Sequence, residues 1–235
     1  MRLEYKKFDF TETLREIDET LLPEHKNLIP KNQFLPSSNN SNNTECAFAG
    51  VIAVNVRMRA YDNGNFSALQ RAYDIVKQVL LDIFRDNSDC IDTICIGRYL
   101  CGIYNTPVKT NVNELIVTMA KLNAALSVLD LKLYKRFNIH IQGNCGCDYG
   151  ELFRVQTFYN KALYETWHGS ALNMAILYAE HDIINDKNGT IVSETIKSNL
   201  KEEFAKFFSE YKNDLCGYWT SLVDSEMYEW IKANR

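Results

Sequence analysis

The stretch VIAVNVRMRAY, Val51 to Tyr61, decides the fold. From Ala47 to Val56 the residues are small or β-branched and almost continuously apolar, the composition of a strand covered on both faces. Asp62-Asn63-Gly64-Asn65 follows as a turn cluster, and then apolar residues recur at helical spacing from Phe66 to Arg85. A central strand running into a turn and a helix places its last polar side chain where ligands are handled in sheets of this kind. That side chain is Asn55.

The chain has 235 residues, 46% hydrophobic and 24% charged, with a formal net charge of −4. This is enough apolar material for one sizeable core. The charge offers no broad footprint for nucleic acid or an anionic membrane. No apolar run reads as long enough to span a bilayer, and MRLEYKKFDF lacks the apolar centre of a signal peptide, so a cytoplasmic location is expected. Seven cysteines, mostly inside apolar runs, read as reduced and buried. Cys145 and Cys147 form a C-x-C with His140 and His168 near in sequence, but without a second close pair the spacing matches no common zinc pattern. The two cysteines are read instead as strand residues facing opposite ways.

Working outward, residues 1–22 carry apolar side chains near a 3.6 period and predict a short amphipathic helix. Residues 23–45, with three prolines and the tract SSNNSNNT, read as a linker. Residues 46–235 form the main domain. Within it, Cys90 to Tyr104 reads as a hairpin turning at Gly97-Arg98, and Asn111 to Phe137 as a long helix. NIHIQGNCGCDYGELFRVQ reads as a strand, a glycine-punctuated turn and a further strand, and a helix begins after Gly169-Ser170. A short strand over Gly189 to Val192, a helix from Ser193 to Phe208, a strand over Cys216 to Val223 and a helix from Ser225 complete the chain. The order predicts an α/β (α+β), ferredoxin-like sandwich: a mainly antiparallel sheet with helices on one side.

Four motifs in this order, VIAVNVRMRA, ICIGRYLCGIYNTP, GNCGCDYGEL and WHGSALNMA, resemble class III nucleotide cyclases over roughly Ala47 to Asp182. The branch they are most like is the pyrimidine cyclases of bacterial Pycsar anti-phage defence. The resemblance implies two aspartates, one on the central strand and one in the hairpin turn, holding two divalent ions (Mg or Mn). These activate the ribose 3′-hydroxyl of a nucleoside triphosphate, giving a 3′,5′-cyclic monophosphate and pyrophosphate. It also implies a transition-state asparagine and, four residues on, a basic residue, both supplied by the other subunit of a dimer.

Carried onto this chain, the two metal positions fall on Asn55 and Arg98, neither of them a carboxylate. The transition-state position is kept as Asn173, the basic position is Leu177, and the base-selecting positions match Ile94 and Thr166. The local formal charge moves from about −2 to +1, and each unit contact at about 4 Å is worth about 4 kcal/mol at an effective dielectric near 20. Nearby Asp62 and Asp92 are the acidic residues that could substitute. Arg98, with Arg57 and Arg59, could alternatively hold a phosphate where metal ions would sit. Trp167 and His168 read as packing residues.

The resemblance therefore implies a cyclase-homology protein, degenerate at the two-metal site and needing no metal as it stands. It would act by binding a nucleoside triphosphate or cyclic nucleotide, or by dimerisation, in anti-phage signalling. Two further readings stay open: an active cyclase making cyclic UMP or cyclic CMP with metals held elsewhere, and a subunit that lends Asn173 to an intact cyclase in a heterodimer rather than a homodimer.

Overall fold

A computed structural model describes residues 15, 29–35, 43–60, 66–159, 161–181, 189–211 and 215–234. The helix expected over residues 1–22, Arg15 apart, and the turn at 62–65 lie outside the described residues. The central strand β1 (Asn43–Ala60) leads to helix α1 (Phe66–Asp86) and the hairpin β2 (Cys90–Ile96) and β3 (Tyr99–Asn105). Then come α2 (Lys109–Phe137), β4 (Ile139–Tyr159), β5 (Ala162–Gly169) and α3 (Ser170–Glu180). The remainder is β6 (Gly189–Ser193), α4 (Glu194–Asn199), α5 (Glu202–Ala205), β7 (Ser209–Tyr211), β8 (Gly217–Thr220) and α6 (Ser225–Asn234).

The strands form one sheet in the order β2-β3-β1-β4-β6-β8-β7, with β5 paired to β4. Every pairing is antiparallel except β4 with β6. Strand β1 lies between β3 and β4, so both of its backbone edges are paired from Ala49 to Asn55 and both faces there are free to be apolar, as its composition requires.

The two faces of β1 carry different cores. Ile52, Val54 and Val56 pack under α1 and α2, which contribute Ala72, Val76, Leu80, Phe84, Leu115, Met119 and Leu122. The apolar stripe of α1 repeats at every fourth residue from Ala68 to Phe84, one face of a helix. On the opposite face Ala47, Ala49, Val51 and Ala53 pack against Ala171, Leu172, Ala175 and Ala179 of α3. Helices therefore cover both sides of the sheet rather than one. Helix α2 is long and apolar enough by composition to cross a membrane, contrary to the sequence reading, but most of it is buried in the fold, as in a core helix.

The glycine-rich stretch 143–150 is not a turn. It is the middle of the unbroken strand β4, paired with β1 from Asn43↔Gln156 to Ala60↔Ile139. Its glycines answer a need for space: a Cβ on Gly146 would sit 2.0 Å from the carbonyl oxygen of Ala175 and 2.4 Å from the nitrogen of Ala179. Alanines on β1 and α3 and glycine on β4 thus let α3 lie almost on the backbone of the sheet. Cys145 and Cys147, two apart on that strand, share the α2 face instead of pointing opposite ways.

Two expectations for the C-terminal third also change. The helix expected from Ser193 to Phe208 is broken at Leu200 and Lys201, both extended. Asn113 accepts a hydrogen bond from the Lys201 amide at 3.0 Å, which holds the break open. Ser193 does cap the first piece, its hydroxyl accepting from the Ile196 amide. The strand expected over 216–223 is confined to Gly217–Thr220, and β7 pairs along it.

Within 23–45, residues 29–35 lie across the α3 face. Lys31 bridges to Ala47 as in a parallel ladder, and Phe34 is 3% exposed.

Candidate functional site

Asn55 shares the α3 face with Ala53 and Val51 and pairs with Tyr99 on β3 and Asn144 on β4. The amide of Val56 donates to the carbonyl of Arg98 at 3.1 Å, so the hairpin turn is tied to the end of the central strand. Gly97 makes that turn with φ +58, a backbone state glycine adopts without strain. The two positions that the family resemblance assigns to metal ions are thus neighbours in space.

Their chemistry differs from a metal centre. Asn55 is 0% exposed, and both its amide nitrogen and its oxygen are without a hydrogen-bond partner among the described residues. Arg98 is half exposed; its Nη2 donates to Glu180 Oε1 at 2.9 Å and to the Tyr99 hydroxyl at 3.3 Å. Both contacts favour the charged guanidinium. The cation therefore ties the hairpin to the C-terminal turn of α3.

The acidic residues that could substitute do not converge there. Both oxygens of Asp92 are engaged, Oδ1 by the Thr93 amide at 2.7 Å and Oδ2 by Trp167 Nε1 at 2.6 Å. Asp62 lies outside the described residues. Asp148 is a buried carboxyl on the α3 face that the sequence reading passed over as part of a turn. It sits opposite Val51, four residues along the strand from the level of Asn55, or roughly 13 Å. Burial pushes its carboxyl up, against hydrogen bonds from Ser193 and the Tyr149 backbone. Among the described residues no three His, Cys, Asp or Glu side chains come together to hold a metal ion. The side chains at Asn55 and Arg98 do not fit the pair of divalent ions that the fold suggests.

The remaining positions fall on two surfaces. Asn173 and Leu177 (40% exposed) lie one turn apart on the open side of α3, with Glu180 beyond them. Gly169, at the start of that helix, has φ +147, and a Cβ there would meet the Glu151 carbonyl at 2.4 Å, so glycine fixes where α3 begins. Arg57 is half-buried two residues from Asn55 on the same face, opposite Gln142, and Arg59 is exposed. Ile94 is half-buried on β2, level with Cys101.

Thr166 is not brought to Ile94. It is exposed, with its hydroxyl 3.3 Å from His168 Nε2, while its neighbour Trp167 turns inward and reaches β2 at Asp92. Strand alternation decides this, since adjacent residues face opposite ways. Trp167 is a packing residue, and Phe34, Arg154 and Glu45 around it are residues that the sequence reading did not single out.

No family model matches this sequence, and no curated protein matches it. Solved structures do. The adenylyl cyclase CyaB from P. aeruginosa superposes with a TM-score of 0.60 at 12% identity, covering 78% of this chain and 97% of that one. The guanylyl cyclase Cya2 gives 0.59 at 10% identity, covering 74% and 90%. The guanylate cyclase domain of RhGC from Catenaria anguillulae, solved in complex with GTP, gives 0.52 at 12% identity, covering 75% and 97%. Similarity at this level establishes the class III cyclase fold.

Proposed function

We propose that this cyclase-fold chain has given up two-metal catalysis and works by recognition, binding a nucleotide and pairing with a second cyclase-fold domain. The setting we propose is cyclic-nucleotide signalling of the Pycsar anti-phage type. One observation carries the reading: the two adjacent metal positions are held by a buried carboxamide and an ion-paired guanidinium, Asn55 and Arg98. Divalent ions at oxygen sites lean on carboxylates. A fixed cation beside Arg57 suits a phosphate better than a metal.

Pairing is supported by the open side of α3, where the apolar Leu177 lies one turn from the exposed Asn173. The test is incubation of the purified chain with each of ATP, GTP, UTP and CTP, with Mg2+ and separately Mn2+, followed by mass detection of cyclic monophosphates. The expected outcome is nucleotide binding without cyclic product. Metal-dependent formation of cyclic UMP or cyclic CMP would overturn the reading.

A further inference from the structure

We infer that residues 10–22 of this chain dock as a helix on the apolar face of the sheet where β1, β4 and β5 run beyond β3, with Cys46 beneath them. This contact is independent of nucleotide binding.

The surface follows from strand pairing. From Phe48 back to Asn43, β1 pairs with β4 and no longer with β3, and the same stretch of β4 gains β5 on its far edge. On the face that carries α1 and α2 further along the sheet, alternation places Cys46 and Phe48 of β1, Tyr149, Phe153 and Val155 of β4, and Tyr164 of β5. Phe48 stacks on Tyr149 with ring centroids 6.2 Å apart. Phe48 is 40% exposed and Tyr164 55%, while Phe153 and Val155 are half-buried. A contiguous apolar face of this kind marks an interface. Cys46, at its centre, is only 2% exposed although it belongs to none of the three core clusters among the described residues. Its cover comes from outside those clusters.

The chain itself supplies an occupant of the right chemistry at the right place. Lys31 pairs beside Ala47 along the edge of β1 that β3 leaves. Its amide donates to the Cys46 carbonyl at 2.8 Å, and its carbonyl accepts from the Phe48 amide at 3.4 Å. The two segments run parallel, so Ile29 lies level with Glu45, at the border of the apolar face. Residues 23–28 reach up to about 20 Å when extended. The face from Val155 to Glu151 is roughly 13 Å long, and a helix over residues 10–22, about 20 Å long, spans it.

Arg15 sets the orientation. It is helical and exposed. At the helical repeat, Phe10, Leu14, Ile17 and Leu21 fall within roughly 60° of one another, centred about 130° from Arg15. An outward Arg15 therefore turns this stripe inward, onto the protein.

The test uses the full chain. Native protein is treated with N-ethylmaleimide, and the alkylated cysteines are located by peptide mass. In Leu14→Glu/Ile17→Glu, Cys46 is expected to react at least about 10-fold faster than in the wild type. A carboxylate on the docked stripe lowers the docked population, and labelling follows the open one. Cys101 and Cys145 are expected to stay protected, which reports a folded domain, and Leu22→Glu, on the Arg15 side of the helix, is expected to leave Cys46 unchanged. An unchanged rate at Cys46 in the folded double variant, or an equal rise in Leu22→Glu, overturns the inference.

If the double variant does not fold, disulfide trapping decides. Phe10→Cys, Leu14→Cys and Ile17→Cys are oxidised in turn, and an intrachain bond to Cys46 is expected from at least one of them. No bond from any of the three, or bonds only between two copies, overturns the inference, the second result assigning the face to another copy of the chain.

Discussion

Returning carboxylates to the two metal positions offers a direct test of the reading at Asn55 and Arg98. Asn55→Asp alone places an ionisable group at a site with no exposure and no hydrogen-bond partner among the described residues. An uncompensated buried charge costs about 3–5 kcal/mol, which for a chain of this size lowers Tm by roughly 6–20 °C. Adding Arg98→Asp changes the local formal charge from +1 to −2 and frees Glu180, now held at 2.9 Å by the arginine, as a third carboxylate within reach. The double variant is then expected to recover stability with Mn2+. At a metal concentration 100 times Kd, binding contributes about 2.7 kcal/mol, a rise of roughly 5–11 °C. The assay is a thermal melt with and without Mn2+ for wild type, single and double variants. An equal Mn2+ shift in the wild type, or none in the double variant, would refute the claim that these two side chains decide metal binding.

Other outcomes follow from the same geometry. Gly146→Ala forces a methyl group into the backbone of α3, so that helix or the strand must move; overpacking of this kind costs about 1–3 kcal/mol, and a urea titration should show a lower midpoint. Glu45→Gln strands the buried Arg154 and is expected to lose about 3–5 kcal/mol, read by the same titration. Burial works against the Glu45 carboxylate, but Lys31 and Arg154 outweigh it and hold its pKa below the ordinary value. The stabilisation is therefore present above the unfolded pKa near 4.5 and lost as pH falls through the lower folded value, and the acid limb of a stability profile should flatten in Glu45→Gln. Asp148 has the opposite sign, since burial raises its pKa. Its contribution falls as pH rises from the unfolded toward the folded value, so Asp148→Asn should gain stability at pH 7 relative to pH 4. Burial also pushes the thiols of Cys101 and Cys145 up to about 12. A thiol reagent at pH 8 should label the exposed Cys95 and Cys216 quickly and the buried Cys46, Cys101, Cys145 and Cys147 only on unfolding.

Much of the fold was legible because its strongest signals are local. The apolar run of β1, the four-residue stripe of α1 and the Gly97 turn each need only neighbouring residues to be read. The glycines of β4 misled because glycine marks both turns and close approach, and only the position of α3, more than twenty residues later, distinguishes the two. Helices on both faces were missed for a related reason: α3 is apolar almost all round, so its sequence does not say which layer it covers, and its partners are small residues on β1. At the site, the substitutions at Asn55, Arg98 and Leu177 were visible in sequence. The ion pair from Arg98 to Glu180 and the seat of Phe34 among Asn105, Arg154 and Trp167 join distant segments, and no local pattern announces them.

The long ladder between β1 and β4 also bears on how the chain is made. Each residue of β1 finds its partner on β4 only after roughly a hundred more residues have been synthesised, some 5–20 s at ribosomal rates. During that interval VIAVNV, the most apolar strand of the molecule, has only the β3 hairpin strand to cover one edge. A strand of this composition with an open edge is a template for self-association. Yield in the cell should therefore depend on chaperone capacity and slow growth temperature more than on the stability of the finished domain.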